Sequence, residues 1–166
     1  MSRPAADKLL AIYLNDHLTG AAVGVELARR LRASNEGEAE FGAPLATICA
    51  EIEADRETLE RLMDQLGVRR DRLKPAAGWL GEKLGRLKLN GQLRGYSPLS
   101  RVVELEGLAI GVAGKLQLWR TLERTRDSVP GFDFEQLAGR AEAQRDLVEG
   151  LRMQAAQLAF SRPAQG

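Results

Sequence analysis

Apolar residues recur every three to four positions along most of the chain, which is the spacing of one face of an α-helix. Four stretches carry this pattern without interruption, over about residues 5–33, 44–66, 99–123 and 133–160. No comparable stretch alternates with the period of two that a half-buried strand requires. The pattern therefore predicts an all-α protein with four long helices.

Residues that start or stop helices stand at the ends of these stretches. Ser34-Asn-Glu-Gly37 ends the first, Pro44 lies in the first turn of the second, and Gly67 follows its last turn. Asp133 precedes the fourth stretch and is a suitable N-cap. We therefore expect two helical hairpins.

The segment between the hairpins has a weaker pattern, in which Trp79, Leu80, Leu84 and Leu87 indicate a short helix. We interpret residues 68–97 as a crossover packed on the hairpins. With 166 residues the chain suits one domain, which we place over residues 1–160, followed by a tail over 161–166.

Two signatures occur twice at nearly the same offset, which indicates an internal repeat of residues 5–67 in residues 98–160. Thr19-Gly-Ala-Ala-Val-Gly-Val25 aligns with Glu106-Gly-Leu-Ala-Ile-Gly-Val112 at an offset of 87. The second signature, Glu-x-x-Arg-x-x-x-Glu, repeats at an offset of 89, as Glu53, Arg56 and Glu60 and then as Glu142, Arg145 and Glu149. A duplication predicts two hairpins related by a pseudo-twofold axis.

The repeated glycines predict a close contact between the first and third helices. Gly20 and Gly24 have the spacing of Gly107 and Gly111, and glycine lets two helix backbones approach each other. We expect the two pairs to face one another.

The second signature predicts charged groups inside the protein. On a helical wheel, Arg56 and Arg145 lie close to the centre of the apolar stripes of the second and fourth helices. A buried charge must be paired, because an uncompensated buried ion costs several kcal/mol. The sequence therefore predicts a shared ion-pair cluster made of Glu53, Arg56, Glu60, Glu106, Glu142, Arg145 and Glu149.

The duplicated hairpins with Glu53-Ala-Asp-Arg56 and Glu142-Ala-Gln-Arg145 resemble the ferritin-like superfamily. Di-iron members of that family carry Glu-x-x-His on the second and fourth helices, and arginine stands here at both His positions. The resemblance implies an antiparallel four-helix bundle whose metal centre has become an Arg/Glu cluster. Protonated arginine cannot ligate a metal, so we expect no metal and no cofactor.

The place of the family's ligand glutamate on the first helix falls at Thr19, and its duplicate on the third helix is Glu106. We interpret the lone His17 as a packing residue. A mononuclear metal site of His17, Glu104 and Glu106 is the alternative.

Overall charge argues against a nucleic-acid partner, because the net charge is only +1. Residues 35–66 nevertheless carry nine acidic against two basic residues, and residues 67–101 carry nine basic against two acidic residues. We interpret this as a basic crossover lying near an acidic helix, with a basic face for an acidic protein partner as the alternative. A lone buried Cys49 and the absence of a long apolar run predict a cytoplasmic protein without membrane association.

No phosphate-binding loop, serine elbow or Cys-His motif indicates catalysis. The sequence favours a non-catalytic protein with a structural or interaction role, with a homodimer formed through an apolar face around Trp79, Leu84 and Tyr96. One alternative is a bundle that binds a small anion between Arg56 and Arg145, and another is a degenerate metal-binding protein.

Overall fold

The computed structural model describes residues 3–71, 96–126 and 128–161. Over these residues the protein is helical, with α1 at Arg3–Ser34, α2 at Gly42–Gln65, α3 at Pro98–Thr125 and α4 at Phe134–Phe160. The described ranges contain no β-strand, only a single bridge between Val129 and Phe132. The four predicted helices are confirmed, whereas the predicted crossover helix lies outside the described residues. None of the described helices is long and apolar enough to cross a membrane.

The end of α2 shows why its sequence stops the helix there. Gly67 adopts a positive φ of 66°, a conformation that glycine reaches without strain. The Gly67 N–H donates to the Asp64 carbonyl at 3.1 Å and the Val68 N–H donates to the Met63 carbonyl at 2.9 Å, which together form a Schellman motif. The predicted stop at Gly67 is therefore confirmed.

Side-chain caps begin α3 and α4. The Ser97 hydroxyl accepts a hydrogen bond from the Ser100 N–H at 3.0 Å, and Pro98 follows it at the first helical position. The Asp133 carboxylate accepts from the Gln136 N–H at 2.9 Å, so the predicted cap of α4 is confirmed. Both caps satisfy backbone donors that have no partner within the helix.

The buried apolar residues form two clusters, one toward each end of the protein. The first cluster contains Phe41 and the predicted core residue Cys49, and it is built mainly from the end of α1, the start of α2 and the start of α3. The second contains Trp119 and Phe134. A layer of polar side chains lies where the two clusters meet, and this layer positions the candidate site.

The described ends of the basic stretch, residues 67–101, contact acidic residues. Arg70 pairs with Glu60 at 3.3 Å and with Asp64, and Arg101 pairs with Glu38 at 3.3 Å. That the crossover as a whole lies near the acidic helix stays a prediction, because most of it lies outside the described residues.

Candidate functional site

Asp55, Lys115 and Gln144 form the polar layer between the two apolar clusters, together with Arg140. We call these four residues the Asp55 layer. Three of them lie at helical spacing between buried apolar residues, three positions after one and four before the next. Asp55 lies between Ile52 and Leu59, Lys115 between Val112 and Trp119, and Gln144 between Ala141 and Val148. The helical repeat places all three side chains on core-facing stripes, so three helices each contribute one polar group to the same level.

The Asp55 carboxylate is the centre of this layer. Its side chain is 3% exposed, and it accepts hydrogen bonds from Lys115 Nζ and from Arg140. Gln144 donates to Asp55 through Nε2 at 3.2 Å and accepts from Lys115 through Oε1. The buried carboxylate is therefore paired with two cations, as a charge at this depth requires.

Burial lowers the pKa of Lys115, and this effect is larger than the opposing attraction of Asp55. Arg140 lowers the pKa further, and Glu51 raises it. The Lys115 side chain is 15% exposed. An ammonium group thus lies at the wall of the site with little water around it.

A cavity of about 400 Å³ opens between α1, α2 and α3 on one side of the Asp55 layer. Asp55 and Lys115 border it, and Leu59, Leu108 and Leu118 supply much of its apolar wall. Sites for small organic ligands have volumes from about 300 to 1,000 Å³ and mostly apolar walls. The cavity meets both criteria.

Four glycines line this cavity, two from α1 and two from α3: Gly20, Gly24, Gly111 and Gly114. A Cβ atom added at any of them would meet no atom of the described residues within 4 Å. The predicted close packing of Gly20 and Gly24 against Gly111 is therefore wrong, because the missing side chains leave open space and the helix backbones do not fill it. Of the four glycines predicted to face one another, Gly107 alone shows a tight contact with a described residue, with its Cβ position 3.2 Å from Leu27 Cδ2.

Aromatic and polar side chains from α1 and α3 complete the cavity. Trp119 is fully buried at its wall, and His17 and Tyr13 contact each other edge to face with ring centroids 4.5 Å apart. Burial lowers the pKa of His17, although Asp16 opposes this effect. The neutral imidazole is therefore favoured at pH 7, so His17 offers the cavity a polar group without a charge. The contact with Tyr13 agrees with the interpretation of His17 as a packing residue.

The structure does not bring the seven predicted cluster residues together. They form several small groups: Glu53 pairs with Arg29 at 2.7 Å, Arg56 with Glu60 at 3.0 Å, Glu142 with Arg120, and Arg145 with Asp146 at 2.8 Å. Glu149 and Glu106 share Arg152, at 2.7 and 3.7 Å. Arg145 is 45% exposed, so its predicted inward orientation is wrong. The shared network of Arg56 and Arg145 is therefore absent from the described pairs.

The error has a simple geometric cause. Neighbouring helix positions differ by about 100°, and it is Asp55 and Gln144 that occupy the centres of the stripes, one position before Arg56 and Arg145. Arg56 lies at the border of its stripe and lines the cavity, with its side chain 32% exposed. Of the seven predicted residues, Arg56 is thus the one at the candidate site.

A second buried carboxylate, Glu104, lies on α3 away from the cavity. Its side chain is fully buried, 2.7 Å from Arg30 Nε, and it accepts a hydrogen bond from the Tyr96 hydroxyl at 3.0 Å. Asn35 joins this group by donating to Tyr96 at 3.3 Å and by accepting from Arg101, whose guanidinium lies 4.3 Å from the Phe41 ring centre. We call Arg30, Asn35, Tyr96, Arg101 and Glu104 the Glu104 cluster.

The Glu104 cluster ties the end of α1 to the beginning of α3. Burial raises the pKa of Glu104, against the opposing effects of Arg30 and Tyr96. Burial also raises the pKa of Tyr96 above its usual value. Tyr96 is half-buried in these contacts, and the other residues of the predicted dimer face, Trp79 and Leu84, lie outside the described residues.

Within residues 3–71, 96–126 and 128–161, no group of three His, Cys, Asp or Glu side chains is placed to hold a metal ion. The alternative site of His17, Glu104 and Glu106 is not formed, since Glu104 belongs to the Glu104 cluster and His17 to the cavity. Comparisons with protein-family models, curated protein sequences and solved structures found no match to the chain. The function is therefore inferred from geometry.

Proposed function

We propose that this protein binds a small, predominantly apolar molecule in the cavity between α1, α2 and α3. The observation that carries the proposal is the cavity itself, about 400 Å³ in volume and bordered by the Asp55 layer. The cavity is partly open to solvent, since Gly20 and Gly111 in its wall are exposed. A ligand that enters from this side removes apolar wall from water, which is favourable.

The glycines explain how the sequence keeps this space open. A glycine inside a helix costs about 0.5 to 1 kcal/mol relative to alanine. Gly20, Gly24, Gly111 and Gly114 all lie within helices, and no atom of the described residues prevents a larger side chain at any of them. A bound ligand accounts for this cost, because the four glycines leave the space that the ligand occupies.

The cavity also explains the polar groups at its wall. A purely apolar wall would bind a hydrocarbon without selecting its orientation, whereas a few placed polar groups fix the orientation of a ligand. His17, Arg56 and Lys115 supply such groups from three different helices. A ligand with an apolar body and one polar end matches this distribution.

This proposal takes the place of a purely structural role as the leading hypothesis. The anion-binding alternative required Arg56 and Arg145 at one site, and the exposed Arg145 pairs instead with Asp146. Of these two arginines, only Arg56 lines the cavity. The predicted homodimer, an acidic protein partner and the cytoplasmic location stay predictions.

For the fold, we propose an antiparallel ferritin-like bundle with an internal repeat. Arg29, near the end of α1, contacts Glu53 in the middle of α2, whereas the earlier Asn15 contacts Arg69, just after the end of α2. These contacts support an antiparallel arrangement, because a later position in α1 meets an earlier position in the second helix. The pairs Arg120 with Glu142 and Glu106 with Arg152 support the same for α3 and α4.

The repeat finds support in the Asp55 layer. The offset of 89 makes Asp55 and Gln144 equivalent positions, and their side chains share a hydrogen bond of 3.2 Å. Equivalent residues meet in this way close to a twofold axis. Under the offset of 87, Gly114 is the equivalent of Leu27 and Gly107 is the equivalent of Gly20. Leu27 contacts Gly107, but Gly114 has no side chain with which to contact Gly20. The leucine that is missing at position 114 accounts for the cavity on one side of the repeat.

Binding is tested with the uncharged dye N-phenyl-1-naphthylamine, whose fluorescence rises in apolar surroundings. We expect saturable binding with one dye per chain and loss of binding in the Gly24→Leu variant, whose new side chain occupies the cavity. Gly139→Leu is the matched control, because Gly139 lies on α4 outside the cavity and also has open space around it. Absence of saturable binding, or equal binding by both variants, contradicts the proposal.

A further inference from the structure

Two cationic side chains reach the same cavity from different helices. Lys115 projects from α3 with its side chain 15% exposed, and Arg56 projects from α2 with its side chain 32% exposed. Both have polar hydrogens that no described residue accepts.

The ammonium group of Lys115 has three N–H donors. Two of them donate to Asp55 and Gln144, and the described residues supply no partner for the third. Arg56 donates to Glu60 through Nε at 3.0 Å, while its terminal nitrogens make no hydrogen bond to any described residue. Among the described residues, the end of the guanidinium fork that recognises carboxylates therefore has no acceptor.

The acids around the cavity are, in contrast, mostly occupied. Asp55 accepts from Lys115, Arg140 and Gln144, and Glu60 binds Arg70 in addition to Arg56. Asp16 lines the cavity from the exposed side of α1. The site thus has spare charged donors and few spare acceptors, a combination that favours an anion over a cation.

From these donors we infer that the polar end of the ligand is a single carboxylate, held between Arg56 and Lys115. This inference rests on the proposed function, since it assigns a chemical class to the molecule in the same cavity. A monoanion fits better than a dianionic phosphate, because Asp55 and Asp16 repel a second negative charge. The apolar remainder of the ligand lies against the leucine and glycine walls.

The experiment compares two competitors of nearly equal shape, 1-naphthoate and 1-naphthalenemethanol, in displacing N-phenyl-1-naphthylamine from the protein at pH 7. Hydrogen bonds to charged partners are stronger than those between neutral groups, so we expect the carboxylate to compete about tenfold better than the alcohol. In Arg56→Met we expect the ratio of the two affinities, carboxylate over alcohol, to fall toward one. The affinity for the alcohol should stay the same.

Lys115→Met is a second variant, and we expect it to reduce the preference as well. Since it leaves Asp55 with one cation fewer, its fold is checked by circular dichroism, and Arg56→Met decides the outcome if it unfolds. Arg120→Met is the matched control, because Arg120 is an exposed arginine that pairs with Glu142 outside the cavity.

The outcomes separate the two proposals. If the dye binds and the two competitors are equal, or if the preference survives in Arg56→Met, the carboxylate inference is wrong and the binding function stands. If the dye does not bind the wild-type protein, the proposed function is wrong and the inference falls with it.

Discussion

The Asp55 layer and the Glu104 cluster both bury a carboxylate between helices, but their surroundings differ. Glu104 is held by Arg30 and Tyr96, and the guanidinium of Arg101 lies over the rings of Phe41 and Tyr96 in the same cluster. Asp55 lies at the edge of a cavity, beside Lys115, whose third donor has no partner among the described residues. The comparison shows that buried charge alone does not identify a binding site. What distinguishes the Asp55 layer is the open space next to it.

The two carboxylates also differ in the exposure of the cation that would be left unpaired if the carboxylate were removed. The partner of Glu104, Arg30, is 34% exposed and can turn toward water, whereas Lys115 beside Asp55 is 15% exposed. The predictions below use this difference.

The largest effect is expected for Asp55→Asn. The substitution keeps the shape of the side chain and removes the charge that compensates Lys115 and Arg140. Removing one partner of a buried ion pair costs about 3 to 5 kcal/mol. We expect a loss of this size in the unfolding free energy of Asp55→Asn, measured by urea denaturation. Asp146→Asn serves as the control, since Asp146 is exposed and its pair with Arg145 is worth at most about 1 kcal/mol. Equal losses in the two variants would show that Asp55 is not buried as described.

A smaller effect is expected for Glu104→Gln, which we predict costs about 1 kcal/mol at pH 7. Glutamine still accepts the hydrogen bond of Tyr96, and the ionised glutamate is itself disfavoured by burial. A loss as large as that of Asp55→Asn would contradict the distinction between the two clusters.

The pH dependence of the Glu104 variant follows from the raised pKa. A carboxylate whose folded-state pKa is raised contributes stability that is fully present below the unfolded value, 4.5, and is lost as the pH rises through the folded value. The difference in unfolding free energy between wild type and Glu104→Gln should therefore be larger at pH 4 than at pH 7. The opposite trend would mean that the pKa of Glu104 is lowered by its partners.

The glycines allow a finer test of the space beside the Asp55 layer. Gly24→Ala and Gly111→Ala should each raise the unfolding free energy by about 0.5 to 1 kcal/mol, because alanine is the better helix former and nothing lies within 4 Å of the new atom. Gly107→Ala is the matched control, and its contact with Leu27 at 3.2 Å should cancel this gain. If Gly24→Ala destabilised the protein, that result would support the close helix contact that the sequence predicts.

The smallest effect is expected for the two arginines that the sequence placed in one network. Arg56→Met and Arg145→Met should change stability additively, within about 0.5 kcal/mol, because their partners are Glu60 and Asp146. A double-mutant cycle by urea denaturation measures their coupling. A coupling energy above 1 kcal/mol would indicate a shared network after all.

Helix positions and ends could be predicted from the sequence because each depends on neighbouring residues. The apolar spacing located all four helices, and Gly67 and Asp133 act at helix ends as their chemistry requires. These features need no knowledge of which helices touch.

The site was harder to predict because it depends on contacts between helices. The sequence analysis singled out Arg56 and Arg145 and overlooked Asp55, although Asp55 lies between Ile52 and Leu59 on the core stripe. Polar residues at stripe positions in three helices were a usable signal. The role of the glycines could not be read from their spacing, since Gly-x-x-x-Gly fits both a tight contact and a space left open.

The most direct test of the account is whether the cavity beside the Asp55 layer exists in solution. Xenon enters apolar cavities without requiring a specific ligand, and its contacts are detected by NMR shifts of nearby methyl groups. We predict that dissolved xenon shifts the methyl signals of Ile52, Leu59, Leu108 and Leu118, which line the cavity, and that Gly24→Leu removes these shifts. The account is contradicted if these signals do not move, or if they move equally in the Gly24→Leu variant.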